Sequence, residues 1–254
     1  FVDGEPGRAR LHAPQGVDRT GSELYIADTG NHAIRHVDLE TGEVRTVAGT
    51  GQLGRGAPGT GAPTGTPMRS PWDVAVAGLE HGASRPGEDM VFIAMAGAHQ
   101  LWALMPAQGR LGPVAGGGRE DHVDGPASEA ALAQPSGLCL FGRYLFFADS
   151  EVSSVRFLDM QSRQVGTLAG AGLFDFGDVD GEGAEVRMQH PLGLTAADGA
   201  VWVADTYNGK VKKVDLERGQ TSTLASGLSE PGGIARAGRF LLVADTAAHR
   251  VVAV

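Results

Sequence analysis

The sequence predicts an all-β fold of repeated four-stranded units, a β-propeller. Three observations carry that expectation. Short apolar runs opened by proline recur along the 254 residues, at Pro14, Pro71, Pro135, Pro191 and Pro231. Each is followed by a second run at 24–30 (LYIADTG), 91–97 (VFIAMAG), 145–151 (LFFADSE), 201–207 (VWVADTY) and 241–247 (LLVADTA). No stretch carries an apolar stripe of helical period over about 11 residues, and the only helical hints are single turns before the prolines, such as 126–133 (PASEAALA).

The elements of each unit follow in order. The proline opens a first strand (PQGVD, PWDVAVA, PSGLCL, PLGLTA and PGGIA), and the run ending near the Asp is the second. Proline to Asp is 14 residues in four copies, reaching Asp28, Asp149, Asp205 and Asp245; from Pro71 to Met95 it is 24. The extra ten residues fall in a polar, Gly/Pro-bearing stretch near 79–89, which reads as a loop insertion. A third strand is expected at 33–39, 100–104, 154–160, 210–216 and 250–254, and a fourth at 44–49, 112–116, 165–170 and 221–226. The fourth block closes 21 residues after the Asp position each time. Val, Ile, Leu, Phe and Tyr dominate the runs, with Gly, Asp, Asn and Pro at the breaks, as β-strands and turns require. One domain over 1–254 is expected, with blades near 14–49, 71–116, 135–170, 191–226 and 231–254. The last blade lacks its outer strand, and the 13 residues before Pro14 offer nothing long enough to supply it. The chain therefore reads as a fragment of a longer protein, with an imperfectly closed five-bladed ring as the alternative.

Composition narrows function. Acidic residues outnumber basic ones by 30 to 21, giving a net charge of −9, and Lys210, Lys212 and Lys213 are too few to make a phosphate-binding face. A nucleic-acid partner is not expected. No apolar run approaches the ~20 residues of a membrane span, so no membrane partner is expected. The single cysteine, Cys139, sits in an apolar run (GLCLF), reads as a small buried hydrophobe, and excludes an internal disulfide framework. An unpaired cysteine suits a cytoplasmic location. No GxSxG, HExxH or phosphate-binding loop occurs, and the glycine-rich stretch 50–66 lacks the Lys-Ser/Thr ending of a phosphate loop and reads as a linker. No cofactor is expected.

The pattern P-x-G-[VIL], then [LV]-[YFWL]-[IVF]-A-D-[TS]-x-x-[NH]-x-[IV]-[RK], then T-[VL]-A-G resembles the NHL repeat over nearly the whole chain, most closely at 26–51. SPWDVAV at 70–76 and VFIAMAGAHQLWAL at 91–104 resemble the matching blade of NHL proteins that carry a thioredoxin-like domain ahead of the propeller. The resemblance implies a parent ring of six blades. It also implies a binding or scaffolding propeller that presents a protein, peptide or small polar ligand to such a domain. The alternative is a metal-dependent enzyme. Lyase-like NHL propellers hold a channel zinc with histidines directly after the blade prolines; here those positions are Gln15, Trp72, Ser136, Leu192 and Gly232, so that ligand set fails. A calcium-dependent lactonase-like propeller stays open.

Up-and-down blades place the loops after the second strands and the Asp-Gly-bearing linkers on one face, around a channel. Candidate ligand-binding residues there are Asn31, His32, Trp72, Asp73, Met95, His99, Asn208 and His249. Linker residues Asp3, His12, His122, Asp124, Asp178, Asp180 and His190 lie nearby. Asp28, Asp149, Asp205 and Asp245 read as structural turn residues, accepting backbone N–H groups two residues on. Met95 breaks that pattern, so its blade is expected to solve the turn differently, through Gly97. Its Trp72 and Asp73 mark individuality, with core packing of Trp72 as the competing reading. His32, His99 and His249 share a position, a zinc set in principle, but Ser153 and Gly209 hold it in the other blades, which favours a polar turn residue. Asp178, Asp180 and Glu182 resemble the start of a calcium loop with Gly183 at its sixth position, but Gln189 stands where the bidentate Glu belongs, so a solvated turn is expected.

Overall fold

The computed structural model describes residues 1–55, 61–78 and 89–254. The core of the 79–89 insertion and the middle of the 50–66 linker lie outside the described residues. Two compact units are formed, Phe1–Gly118 and Arg119–Val254.

The first unit holds two antiparallel four-stranded sheets. Blade 1 is β1 (Val17–Thr20), β2 (Glu23–Asp28), β3 (Ala33–Asp38) and β4 (Val44–Ala48), paired in that order. Blade 2 is β5 (Pro71–Ala77), β6 (Met90–Met95), β7 (Gln100–Met105) and β8 (Arg110–Ala115). The second unit holds three sheets. Blade 3 is β10 (Pro135–Phe141), β11 (Tyr144–Asp149), β12 (Ser154–Asp159) and β13 (Gln164–Ala169), with the two-residue β9 (Gly125–Pro126) on its outer edge. Blade 4 is β15 (Leu194–Ala197), β16 (Ala200–Asp205), β17 (Lys210–Asp215) and β18 (Gln220–Ala225), edged by β14 (Gly181–Glu182). Blade 5 has three strands, β19 (Pro231–Ala237), β20 (Phe240–Asp245) and β21 (Arg250–Ala253). The fold class is the one expected, all-β and built of propeller blades; the proline opens the first strand in blades 2, 3 and 5, whereas in blades 1 and 4 that strand starts three residues after it.

Burial explains the composition of each strand. The second strands are nearly continuous apolar runs (MVFIAM, YLFFAD), and they are buried along all but their first residue. The outer strands face water on one side and alternate, as in QTSTLA. In the first unit Tyr25, Ile34, Val74, Ile93 and Trp102 belong to one core cluster. In the second, Phe146, Val155, Val201 and Val214 form another. Cys139 is half-buried against that cluster rather than fully buried. The glycine of P-x-G is needed where inner strands meet: a Cβ on Gly193 would lie 2.2 Å from the Gly232 carbonyl oxygen, and one on Gly137 would lie 2.3 Å from that of Leu192.

The Asp-Gly linkers reach further out than expected. Gly4 exchanges backbone hydrogen bonds with Val44, Gly125–Pro126 pairs with β13, and Gly181–Glu182 pairs with β18. Each linker thereby adds to the outer edge of the blade that follows it. Gly61 bridges Leu111 in the same way. An outer edge covered by a segment of the same chain no longer offers a template for foreign strands.

Candidate functional site

The repeated polar residues form a clasp inside each blade. Asp28 Oδ1 accepts the backbone N–H of His12 at 2.7 Å, Asp149 that of Ala133 at 2.8 Å, Asp205 that of Gln189 at 2.7 Å and Asp245 that of Ser229 at 2.5 Å. The donor stands 16 residues upstream every time, two before the blade proline, not two residues downstream as the local turn reading expects. A return bond runs from the loop to the same upstream residue, as in Gly30 N–H to His12 O at 2.9 Å and Tyr207 N–H to Gln189 O at 3.1 Å. In blade 2 the acceptor is Met95 Sδ, 3.3 Å from Arg69 N, and Gly97 N–H supplies the return bond to Arg69 O. Blade 2 therefore keeps the clasp and changes one acceptor; Gly97 has the role its counterparts have.

The second carboxylate oxygen meets a buried cation. Arg35 Nη1 lies 2.8 Å from Asp28 Oδ2, and Arg156 Nη1 lies 2.6 Å from Asp149 Oδ2. The Nη2 atoms reach linker aspartates, Arg35 to Asp3 at 2.6 Å and Arg156 to Asp124 at 2.8 Å. In blade 4 Lys212 takes the position, with Asp180 at 2.7 Å and Asp178 at 2.9 Å, while Asn208 Nδ2 donates to Asp205 at 2.8 Å. Thr46, Thr167 and Thr223 each donate their N–H and hydroxyl to the linker aspartate 43 residues upstream. A strand irregularity just before Arg35, Arg156 and Lys212 aims these side chains inward. Trp102 holds this bulged position in blade 2 and gives its indole N–H to Gln100 at 3.0 Å. Methionine and tryptophan thus stand together where blades 1 and 3 have aspartate and arginine.

Burial and hydrogen bonding pull the protonation of these groups in opposite directions. Asp149 is pushed up to about 6 by burial, which the Arg156 cation and the Ala133 N–H only partly offset. Asp205 is likewise raised to about 6 by burial, against the Asn208 donor. Asp245 goes the other way: the Ser229 N–H first, then Arg250, hold it below the usual carboxylate range. The hydrogen bond from Lys210 is the main cause that keeps Asp178 low. The acids of the DVDGEG stretch are therefore not a merely solvated turn: Asp178 and Asp180 pair with Lys210 and Lys212.

The shared histidine position has a backbone explanation. His32, His99, Ser153, Gly209 and His249 all follow a single turn and have φ of +50°, +55°, +49°, +62° and +51°. His32 Nδ1 also accepts the Ser70 N–H at 3.2 Å, joining blades 1 and 2. Among the described residues no group of three or more His, Cys, Asp or Glu side chains could hold a metal. Asn31 is buried on Asp28 and Met95 is wholly buried, so neither presents a ligand surface. Trp72, Asp73, His32, His99 and Asn208 are half-buried, and His249 is exposed.

The second unit contains a cleft of about 510 Å³ where the loops of blades 3 and 4 meet. Phe174 is 88% exposed, Phe176 59% and Tyr207 58%. His190 stacks on Tyr207 with ring centroids 4.7 Å apart and planes 9° from parallel. Burial lowers the His190 pKa, with Glu151 opposing, so the imidazole is neutral near pH 7. The floor is rigid: Ser150 Oγ donates to Pro191 O at 2.7 Å and lies 2.6 Å from Ser136 Oγ, and His190 N–H reaches Ser153 Oγ at 3.3 Å. Sequence reasoning missed Phe174 and Phe176. The available signal was FDF in a glycine-bearing linker, where the other linkers carry no such pair.

The Asp clasp, its cation and the proline-headed inner strand recur at the positions of the repeat. The chain is 38% identical over 98% of its length to NHL repeat-containing protein 2 of Gallus gallus, and equally so to that of Homo sapiens. This chain belongs to the NHL-repeat β-propellers. It spans about 40% of the length of those two relatives. The protein SUPPRESSOR OF QUENCHING 1, chloroplastic, of Arabidopsis thaliana is 39% identical over 97% of the chain, which covers 25% of it. No family model matches. Among solved structures, a chain of a nidogen/laminin complex shares the fold at a TM-score of 0.69 and 15% identity, over 97% of this chain and 77% of that one. A streptogramin B lyase does so at 0.60 and 12%, over 100% and 72%. In this NHL propeller the clasps are internal to each blade, and the exposed aromatic cleft combines repeat loops, with Glu151 and Tyr207, and a linker carrying Phe174 and Phe176. No described helix is long and apolar enough to cross a membrane.

Proposed function

We propose that this NHL propeller is a non-catalytic binding and scaffolding module. The observation that carries the reading is the cleft of the second unit, where Phe174, Phe176 and Tyr207 are held outward over a hydrogen-bonded floor. Exposed rings grouped at one place mark contact surfaces more often than solvated ones. The acids and cations that could suggest chemistry are engaged elsewhere, in holding linkers to blades. The curated relatives are much longer than this chain. The propeller is accordingly read as one part of a longer polypeptide, presenting a protein or peptide to the thioredoxin-like domain that the sequence resemblance implies.

Elemental analysis of protein purified without chelators tests the reading. Substoichiometric zinc and calcium are expected. One tightly held ion per chain would overturn it in favour of a lactonase- or lyase-like centre.

A further inference from the structure

We propose that the cleft over blades 3 and 4 docks an arginine-bearing peptide segment, the guanidinium stacking on the Tyr207–His190 pair and facing Glu151. The proposal rests on the binding reading above and names its ligand chemistry. Two carboxylates, Glu120 and Glu151, line the cleft, and no lysine or arginine does. The neighbouring cations are already engaged: Arg119 lies 3.0 Å from Asp121, and Arg187 Nη1 donates to the Ala184 carbonyl at 2.6 Å. The cleft therefore joins aromatic faces and negative charge with no cation of its own, on a chain of net charge −9.

The chain shows elsewhere what such faces accept. Arg35 lies over Phe1 at 5.1 Å, Arg143 over Tyr144 at 5.0 Å, Arg156 over Phe147 at 5.7 Å and Arg239 over Phe240 at 4.8 Å. A planar, weakly hydrated guanidinium suits stacking on a ring and a fork of bonds to a carboxylate; an ammonium does not match both at once. Phe174 and Phe176 lie beside this pair and supply apolar contact for the residues flanking the arginine. A cleft of about 510 Å³ is within the usual range for a ligand site.

The test is fluorescence anisotropy with the full 254-residue chain and two labelled pentapeptides, Gly-Phe-Arg-Phe-Gly and its citrulline counterpart. Citrulline keeps the shape and removes the charge. The arginine peptide should bind, and the citrulline peptide should bind about tenfold more weakly. Glu151→Gln, Tyr207→Ala and Phe174→Ser should each weaken the arginine peptide about fivefold or more while the melting temperature stays unchanged, since all three side chains are exposed. Equal affinity for the two peptides, indifference to the three substitutions, or no binding up to about 1 mM overturns the proposal. A failed titration on metal-free protein removes this ligand and leaves the binding module standing; a stoichiometric metal removes the module itself.

Discussion

Met95 Sδ lies 3.3 Å from the backbone nitrogen of Arg69, at the place where each of the other four blades puts an aspartate oxygen. Its neighbour at the cation position is Trp102, and both are buried. Restoring the aspartate alone should therefore harm the protein. Met95→Asp puts a carboxylate in a site without a cation, at a cost of about 3 kcal/mol. Urea denaturation checks this; a Met95→Asp variant as stable as the wild type would show that the blade tolerates a lone acid.

Arg156 connects four acceptors: Asp149 at 2.6 Å, Asp124 at 2.8 Å, Ala131 O at 2.8 Å and Val123 O at 2.9 Å. Arg156→Ala leaves Asp149 buried beside nothing positive and should cost about 3–5 kcal/mol. Arg156→Lys should cost less than half as much, because Lys212 serves blade 4 with two aspartate bonds. Equal losses for the two variants in the same denaturation experiment would mean that fork geometry, not charge, holds the linker.

Asp205 gives a pH dependence with a defined sign. Its carboxyl sits near the ordinary 3.8 when unfolded and at about 6 when folded. Between those values the native chain keeps a proton that the unfolded chain has released, so stability falls as pH rises from about 4 to about 6. Asp205→Asn removes this dependence. Relative to that variant, the wild type should be more stable at pH 4 than at pH 7 by on the order of 2–3 kcal/mol. Parallel stability curves for the two proteins across this range would refute the assignment.

Gly193 faces the next blade so closely that a methyl group would meet the Gly232 carbonyl oxygen at 2.2 Å. Gly193→Ala should cost about 1–3 kcal/mol through displacement of the inner strands. Gly238→Ala is the control for substitution of a glycine, since no atom lies within 4 Å of its added Cβ, though its φ of +60° carries its own backbone cost. Thermal melting of both variants separates steric contact from backbone strain.

The strands were legible because their cause is local. Runs such as VFIAM and LFFAD can only be buried, and Gly, Asp and Pro mark their ends. The partner of the Asp was not legible, because it is a backbone N–H 16 residues away and every residue but proline has one. The buried cations were legible in principle: Arg35 and Arg156 each follow their Asp by seven residues and a linker Asp by 32. The histidine position suggested ligands, but its common property is a left-handed backbone, which no side-chain comparison displays. The cleft escaped notice because its two phenylalanines, Phe174 and Phe176, lie in a linker, where the repeat imposes no expectation against which they would stand out.

Blades 1, 3 and 4 are sealed from behind. The outer edge and the cation of blade 3 are tied to Gly125 and Asp124, which precede its first strand, and Asp3 and Asp180 do the same for blades 1 and 4. The bonds that finish a blade therefore span at most 43 residues and use nothing made after it. A ribosome delivers the chain in that order, so a blade can lock its edge while the next is still being made. The same arithmetic sets the self-contained segment of blades 1, 3 and 4: it begins at the Asp-Gly pair, 11 residues before the proline that opens the strands.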